Sequence, residues 1–152
     1  MINIVLPKEV QQLVEGSVFD NAGLIADDVL TKFLFYNPEI IRIYGLALAD
    51  LKKSKSTIEQ EVKEMTDSMD RKWASLVLKI DTGVYRNEDL RNARKYTSQD
   101  ITVIQDKIRE KERELIELDY EIETTIQDYY KYKNMQDTLS NLTKLRVSER
   151  KF

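Results

Sequence analysis

The sequence contains no cysteine and no histidine among its 152 residues. Without cysteine there are no disulfides, thiolate metal sites or cysteine nucleophiles, and this composition is typical of proteins from reducing compartments. Without histidine the chain lacks the commonest general base near neutral pH and the commonest ligand of transition metals. We therefore expect a non-enzymatic protein with no catalytic residues, no metal and no cofactor.

Glycine and proline are also scarce, with four and two residues, while charged residues make up 34% of the chain. This profile is typical of long solvated helices and not of sheets. Nowhere do eighteen apolar residues follow one another, and residues 1–10 lack the basic start of a secretory signal. We therefore expect an all-α protein of a single domain, located in the cytoplasm and without membrane contact.

The apolar residues of two long segments can be paired by folding the chain back between Glu88 and Asp89. In each segment they recur at alternating intervals of three and four residues, which places them on one face of an α-helix. The pattern predicts a long antiparallel helical hairpin with a coiled-coil-like seam. The predicted pairs are Leu76 with Ile101, Trp73 with Ile104, Met69 with Ile108, Val62 with Leu115, Leu51 with Ile126 and Leu48 with Tyr129.

Local signals divide this hairpin into segments. Asn37 is predicted as the N-cap of the first long arm and Pro38 as its first helical residue, because proline is favoured at that position. Thr97 and Asp100 form a weaker capping pair at the start of the return arm. The predicted organisation is a small helical base of N-terminal helices at 1–36, a first long arm at 37–80, a basic tip at 81–96 and a return arm at 97–148.

A few residues do not fit the apolar seam. Lys55 and Lys111 interrupt the two stripes, where their ammonium groups can reach water or fix the register of the helices. Leu46, Ile116 and Tyr130 fall outside the stripes, and residual apolar surface of this kind usually marks an interface. We therefore expect a homo-oligomer.

Of the three segments 1–70, 71–96 and 97–152, only 71–96 has an excess of positive charge, since it holds seven basic and three acidic side chains. Cations that neutralise phosphates, interleaved with rings that stack on bases, are typical of single-stranded nucleic acid binders. The alternative is that these charges only keep the turn soluble. Trp73 is assigned to the core, and a second basic cluster at 144–151 to a frayed tail. The candidate nucleic-acid-binding residues are Arg71, Lys72, Lys79, Tyr85, Arg86, Arg91, Arg94, Lys95 and Tyr96.

Carboxylates are also numerous, and a Mg²⁺-dependent helical nucleotide hydrolase is a remote alternative. Basic residues such as Lys63 and Arg113 stand among these carboxylates, and the mixed-sign pattern is typical of a solvated helix face. The carboxylates that such a site would use are Glu61, Glu64 and Asp67 of the first arm and Glu112, Glu114 and Glu117 of the return arm.

A helical base, a long arm ending in DRKWASLVLKIDTG and a YTSQDI segment opening the return helix together resemble the UvsY-type recombination mediators of tailed phages, over residues 20–145. The resemblance implies a ring-forming protein that binds single-stranded DNA. It also implies that the protein helps a RecA-like recombinase displace a single-strand binding protein, in the cytoplasm of a bacterial host. It places DNA contacts at Lys72 and Lys79, with Arg71 beside them. The acidic balance of the chain departs from the family pattern. The alternative function is a helical scaffold or inhibitor that acts by protein–protein interaction.

Overall fold

The computed structural model describes residues 5, 7, 8, 11, 12, 25–79, 88 and 99–151. In this part of the chain two long helices are formed, α1 (Asp27–Lys79) with 53 residues and α2 (Gln99–Arg150) with 52 residues. The helices pack against each other, so the predicted all-α helical hairpin is confirmed. In the described ranges no helix has a stretch apolar enough to cross a membrane.

Both helices contribute to two compact units. Unit 1 contains Met1–Asp50 and Ile122–Phe152, and unit 2 contains Leu51–Glu121. The prediction of one helical domain stays a prediction. The predicted N-cap Thr97 and most of the predicted tip lie outside the described residues.

Unit 1 is built around a buried apolar cluster to which both helices contribute. On α1 the cluster members follow one another at intervals of three, seven and four residues, close to one or two helical turns, so their side chains share one face of the helix. Phe33 and Leu139 are completely buried. Leu30 and Phe33 of the predicted helical base thus pack against the C-terminal part of α2. The cluster consists of Leu30, Phe33, Ile40 and Tyr44 of α1 and Tyr132, Met135 and Leu139 of α2.

Asn37 and Pro38 do not begin a helix, because α1 runs through both of them. The Asn37 side chain is completely buried, and its Nδ2 donates hydrogen bonds to the carbonyl oxygen of Tyr132 at 3.0 Å and to Oε1 of Gln136 at 2.9 Å. The sequence at Asn37 and Pro38 favours the start of a helix, and proline leaves one backbone carbonyl of α1 without its helical hydrogen-bond donor. Packing against α2 nevertheless continues α1 across these two residues. The predicted helix start at Asn37, and with it the boundary between 1–36 and 37–80, is wrong.

In unit 2 the seam contains the two predicted lysines. Lys55 Nζ lies 2.6 Å from Oδ1 of Asp119, and Lys111 Nζ lies 3.4 Å from Oε2 of Glu61 and 3.1 Å from Oε2 of Glu114. The hydrogen bond from Lys55 to Asp119 raises the pKa of the lysine. Moving forward along α1 from Lys55 to Glu61 moves the partner backward along α2, so the helices are antiparallel. These ion pairs join α1 and α2 at two positions of the antiparallel register of unit 2.

Candidate nucleic-acid interface

The structure describes two of the nine predicted DNA-binding side chains. Arg71 and Lys72 follow one another on α1 and are both exposed. Lys79 is the last residue of α1, and its side chain lies outside the description. The remaining six candidates all lie outside the described residues, and they are Tyr85, Arg86, Arg91, Arg94, Lys95 and Tyr96.

The charges of Arg71 and Lys72 face solvent. Within the described ranges, no carboxylate lies within 4.0 Å of either cation. Asp67 and Asp70 come just before them on α1 and are exposed as well, so the excess of positive charge begins at Arg71. Exposed cations of this kind remain available to phosphate groups, which attract them through an interaction that salt screens.

Trp73 follows these cations but does not belong to the exposed surface. It is half-buried, as is Leu76, the next member of its stripe. Apolar side chains that recur on one face of a helix normally pack in a seam, and a ring held there is not free to stack on a base. The assignment of Trp73 to the core agrees with this burial.

The second basic cluster, predicted as a frayed tail, is largely part of α2. Nη1 of Arg146 donates a hydrogen bond to Oδ1 of Asp27 at 2.8 Å, and Arg150 binds Oδ2 of the same carboxylate. The three side chains border a cavity of about 150 Å³ at the start of α1. Asp27 already supplies the anion at this position. The two arginines therefore form ion pairs with a carboxylate of the same chain and do not form an open phosphate site. Sequence reasoning missed this contact, since Asp27 and Arg146 are separated by 119 positions along the chain.

The ion pairs of Asp27 with Arg146 and Arg150 should make the stability of the fold depend on pH in the acid range. Hydrogen bonds from Arg150 and Arg146 hold the pKa of Asp27 below its usual value. A depressed carboxylate pKa stabilises the fold above the unfolded pKa of about 3.9, and the stabilisation is lost as pH falls through the folded value. We expect Asp27→Asn to lower the urea midpoint at neutral pH and to show a smaller further decrease on acidification than wild type. Asp28→Asn, which removes an exposed charge at the next position, is the control, and equal pH profiles for the two variants would contradict the prediction.

Three of the six carboxylates of the remote hydrolase alternative, those of Glu61, Glu64 and Glu114, are engaged by neighbouring side chains. Glu61 and Glu114 both lie beside the Lys111 ammonium, and Glu64 accepts a hydrogen bond from Nε2 of Gln60 at 2.9 Å. Among the described residues, no group of three or more acidic, histidine or cysteine side chains is placed to hold a metal ion. The positive charge between the carboxylates of Glu61 and Glu114 is the ammonium group of Lys111.

No protein-family model, no curated protein and no solved structure matches this chain. The chain folds as an all-α antiparallel helical hairpin. Cations are exposed near the C-terminal end of α1. The resemblance to UvsY-type mediators stays a prediction.

Proposed function

We propose that the protein is a non-enzymatic, homo-oligomeric single-stranded DNA-binding protein that acts as a recombination mediator. The observation that carries the proposal is the exposure of Arg71 and Lys72, which open the basic stretch 71–96. In this function the cations of 71–96 neutralise phosphates, and Tyr85 and Tyr96 stack on bases. The protein partners would be a RecA-like recombinase and the single-strand binding protein that it displaces, in the cytoplasm of a bacterial host.

Repetition of the site in an oligomer is central to this proposal. A few exposed cations per subunit give weak binding, but several subunits on one strand raise the total affinity without any new kind of contact. The same repetition would present an extended strand to a recombinase. A chain with a net charge of −3 can bind DNA in this way only where its positive charges are gathered in one place.

The DNA-binding prediction can be tested by fluorescence anisotropy with a labelled single-stranded oligonucleotide at several salt concentrations. For wild type we expect log affinity to fall with log salt by about 0.7 per neutralised phosphate. The double variant R71A/K72A should bind more weakly and show a shallower salt dependence, by about 0.7 for each phosphate that it no longer neutralises. The quintuple variant that also carries R91A, R94A and K95A should lose binding almost completely.

The matched control is K52A/K53A, an adjacent exposed pair of cations on the same helix. It removes the same charge from the chain, so a nonspecific effect of net charge would weaken both double variants equally. Equal losses, or a wild type without salt-sensitive binding, would rule out the proposed site.

A second candidate function is a helical scaffold or inhibitor that binds another protein. Ile116 and Tyr120, one turn apart on α2, are 70% and 75% exposed, and neighbouring apolar side chains of this size favour a protein interface. This function predicts a defined protein complex that I116S/Y120S disrupts and single-stranded DNA does not affect. Light scattering of wild type and of this double variant, with and without single-stranded DNA, measures the mass of this complex. The measurement separates the scaffold or inhibitor function from the mediator function.

A further inference from the structure

The outer face of α1 in unit 1 includes Phe35, Glu39, Arg42 and Leu46, which follow one another at intervals of four, three and four residues. These intervals place the four side chains on one side of the helix, opposite the buried stripe of the core. Phe35 is 77% exposed and Leu46 is 54% exposed. Two large apolar side chains are thus exposed on this face, one on each side of Glu39 and Arg42.

Two opposite charges lie between these apolar side chains. Nε of Arg42 donates a hydrogen bond to Oε2 of Glu39 at 2.8 Å, and Nη2 donates to Oε1 at 2.5 Å. This pair lowers the pKa of Glu39 and raises the pKa of Arg42, and both side chains are more than half exposed. Along the helix the outer face is therefore apolar, acidic, basic and apolar in turn.

We infer that this outer face binds the same face of a second copy of the chain, with the two α1 helices antiparallel about a two-fold axis between Ile40 and Ile41. In this arrangement Phe35 of each copy lies at the height of Leu46 of the other. Glu39 likewise lies at the height of Arg42 of the other copy. Every contact occurs twice, as an isologous interface requires.

The order of the four residues favours a second copy over another partner. A face that is apolar, acidic, basic and apolar in turn is complementary to itself when reversed, because each end meets the other apolar end and each charge meets its opposite. A parallel pairing would instead place Glu39 beside Glu39 and Arg42 beside Arg42, and like charges across an interface are unfavourable. The self-complementary order therefore selects the antiparallel homodimer.

The contact is small, so the dimer should be weak, with a dissociation constant on the order of micromolar or higher. It specifies one interface of the homo-oligomer in the proposed function and does not depend on DNA binding. A larger assembly that uses this contact contains subunits in multiples of two, because a two-fold contact joins copies in pairs.

The geometry can be tested by disulfide crosslinking, since the chain has no cysteine and every crosslink is assignable to an introduced residue. The variants are F35C and L46C, each prepared separately. Both positions are exposed, so the core of each variant stays intact. In the two-fold arrangement Phe35 and Leu46 of one helix are about 16.5 Å apart along its axis. Two copies of the same variant therefore hold their cysteines too far apart for a disulfide, which needs a Cα separation below about 7 Å.

Mild oxidation of a mixture of F35C and L46C should yield roughly tenfold more disulfide-linked dimer than either variant alone, because only the mixture brings the two cysteines together. The mixed dimer also retains one wild-type contact between Phe35 and Leu46. Self-crosslinking of each variant as efficient as that of the mixture would indicate a parallel or random encounter. Either that result or an absence of crosslinking in the mixture would overturn the inference.

Charge reversal provides an independent measurement in the absence of cysteine. Sedimentation equilibrium should show a larger dissociation constant for R42E, which places acidic residues at all four charged positions, and recovery for the exchanged variant E39R/R42E. Equal dimer strength for wild type, R42E and E39R/R42E would contradict the two-fold contact. Fluorescence anisotropy with single-stranded DNA, measured on the same variants, keeps this test separate from the test of DNA binding. If R42E loses the dimer but still binds DNA as wild type does, only the oligomeric part of the proposed function is contradicted.

Discussion

Phe33→Ala is expected to lower the free energy of unfolding by about 3–5 kcal/mol. The Phe33 side chain is completely buried and belongs to the apolar cluster of unit 1. Truncation to alanine removes the transfer free energy of the ring and leaves a cavity that the long helices close only partly. Urea unfolding followed by circular dichroism of the helical signal measures this change.

Phe35→Ala is the matched control, because it makes the same chemical change two positions away on the same helix. Phe35 is 77% exposed, so the free energy of unfolding should change by no more than about 0.5 kcal/mol. The measurement is made at submicromolar protein, where the proposed contact with a second copy contributes little. A decrease of similar size for both variants would contradict the core position of Phe33.

Asn37→Asp is expected to lower the free energy of unfolding at neutral pH by several kcal/mol. The substitution keeps the shape of the side chain but replaces the Nδ2 donor with a carboxylate oxygen. That oxygen would face the carbonyl of Tyr132 and Oε1 of Gln136, both of which are acceptors. The Gln136 amide can turn to donate, but a backbone carbonyl cannot. A buried charge opposite an acceptor is thus left without compensation.

The destabilisation by Asn37→Asp should depend on pH in a defined direction. Burial and the facing acceptor would raise the pKa of the new carboxyl above its unfolded value of about 3.9. The folded state then binds the proton more tightly, so the destabilisation relative to wild type is smallest in acid and grows as pH rises through the raised pKa. Asn134→Asp on the exposed side of α2 is the control, and its stability should stay close to wild type throughout. A pH-independent destabilisation by Asn37→Asp would contradict this explanation.

The sequence predicted the hairpin well because its signal is repeated many times. Each apolar stripe gives about ten positions at helical spacing, so a few exceptions do not change the period. The exceptions were themselves informative, since Lys55 and Lys111 contact carboxylates of the opposite helix. Each lysine also lies within 4.0 Å of a carboxylate of its own helix, Glu59 for Lys55 and Glu114 for Lys111, so both helices supply partners to these two positions.

The helix start at Asn37 was predicted wrongly because a capping signal is local, whereas the side chain that produces it has partners far along the chain. Asn37 is 99 positions from Gln136, and the pattern around Pro38 contains no trace of that contact. Tertiary packing therefore decided between a cap and a buried amide. The ion pair of Asp27 with the end of α2 could not be predicted for the same reason.

For the candidate site, the sequence predicted the positive charge but not its arrangement. Arg71 and Lys72 are exposed and Trp73 is half-buried, which follows from their positions relative to the apolar stripe. The stripe ends where the helix does, so periodicity gives no position for the side chains between α1 and α2. The proposal that they contribute to DNA binding rests on charge and on aromatic content alone.

The two units can be observed separately by spectroscopy. The only tryptophan of the chain, Trp73, lies in unit 2, so its selectively excited fluorescence follows the unfolding of that unit. In unit 1 the rings of Tyr44 and Tyr132 stack with centroids 5.3 Å apart, and burial raises the pKa of Tyr44 to about 12. When unit 1 unfolds, this hydroxyl returns to ordinary tyrosine ionisation near a pKa of about 10, which ultraviolet absorbance detects. Coincidence of the two transitions would identify the hairpin as one cooperative folding unit, and their separation would identify two.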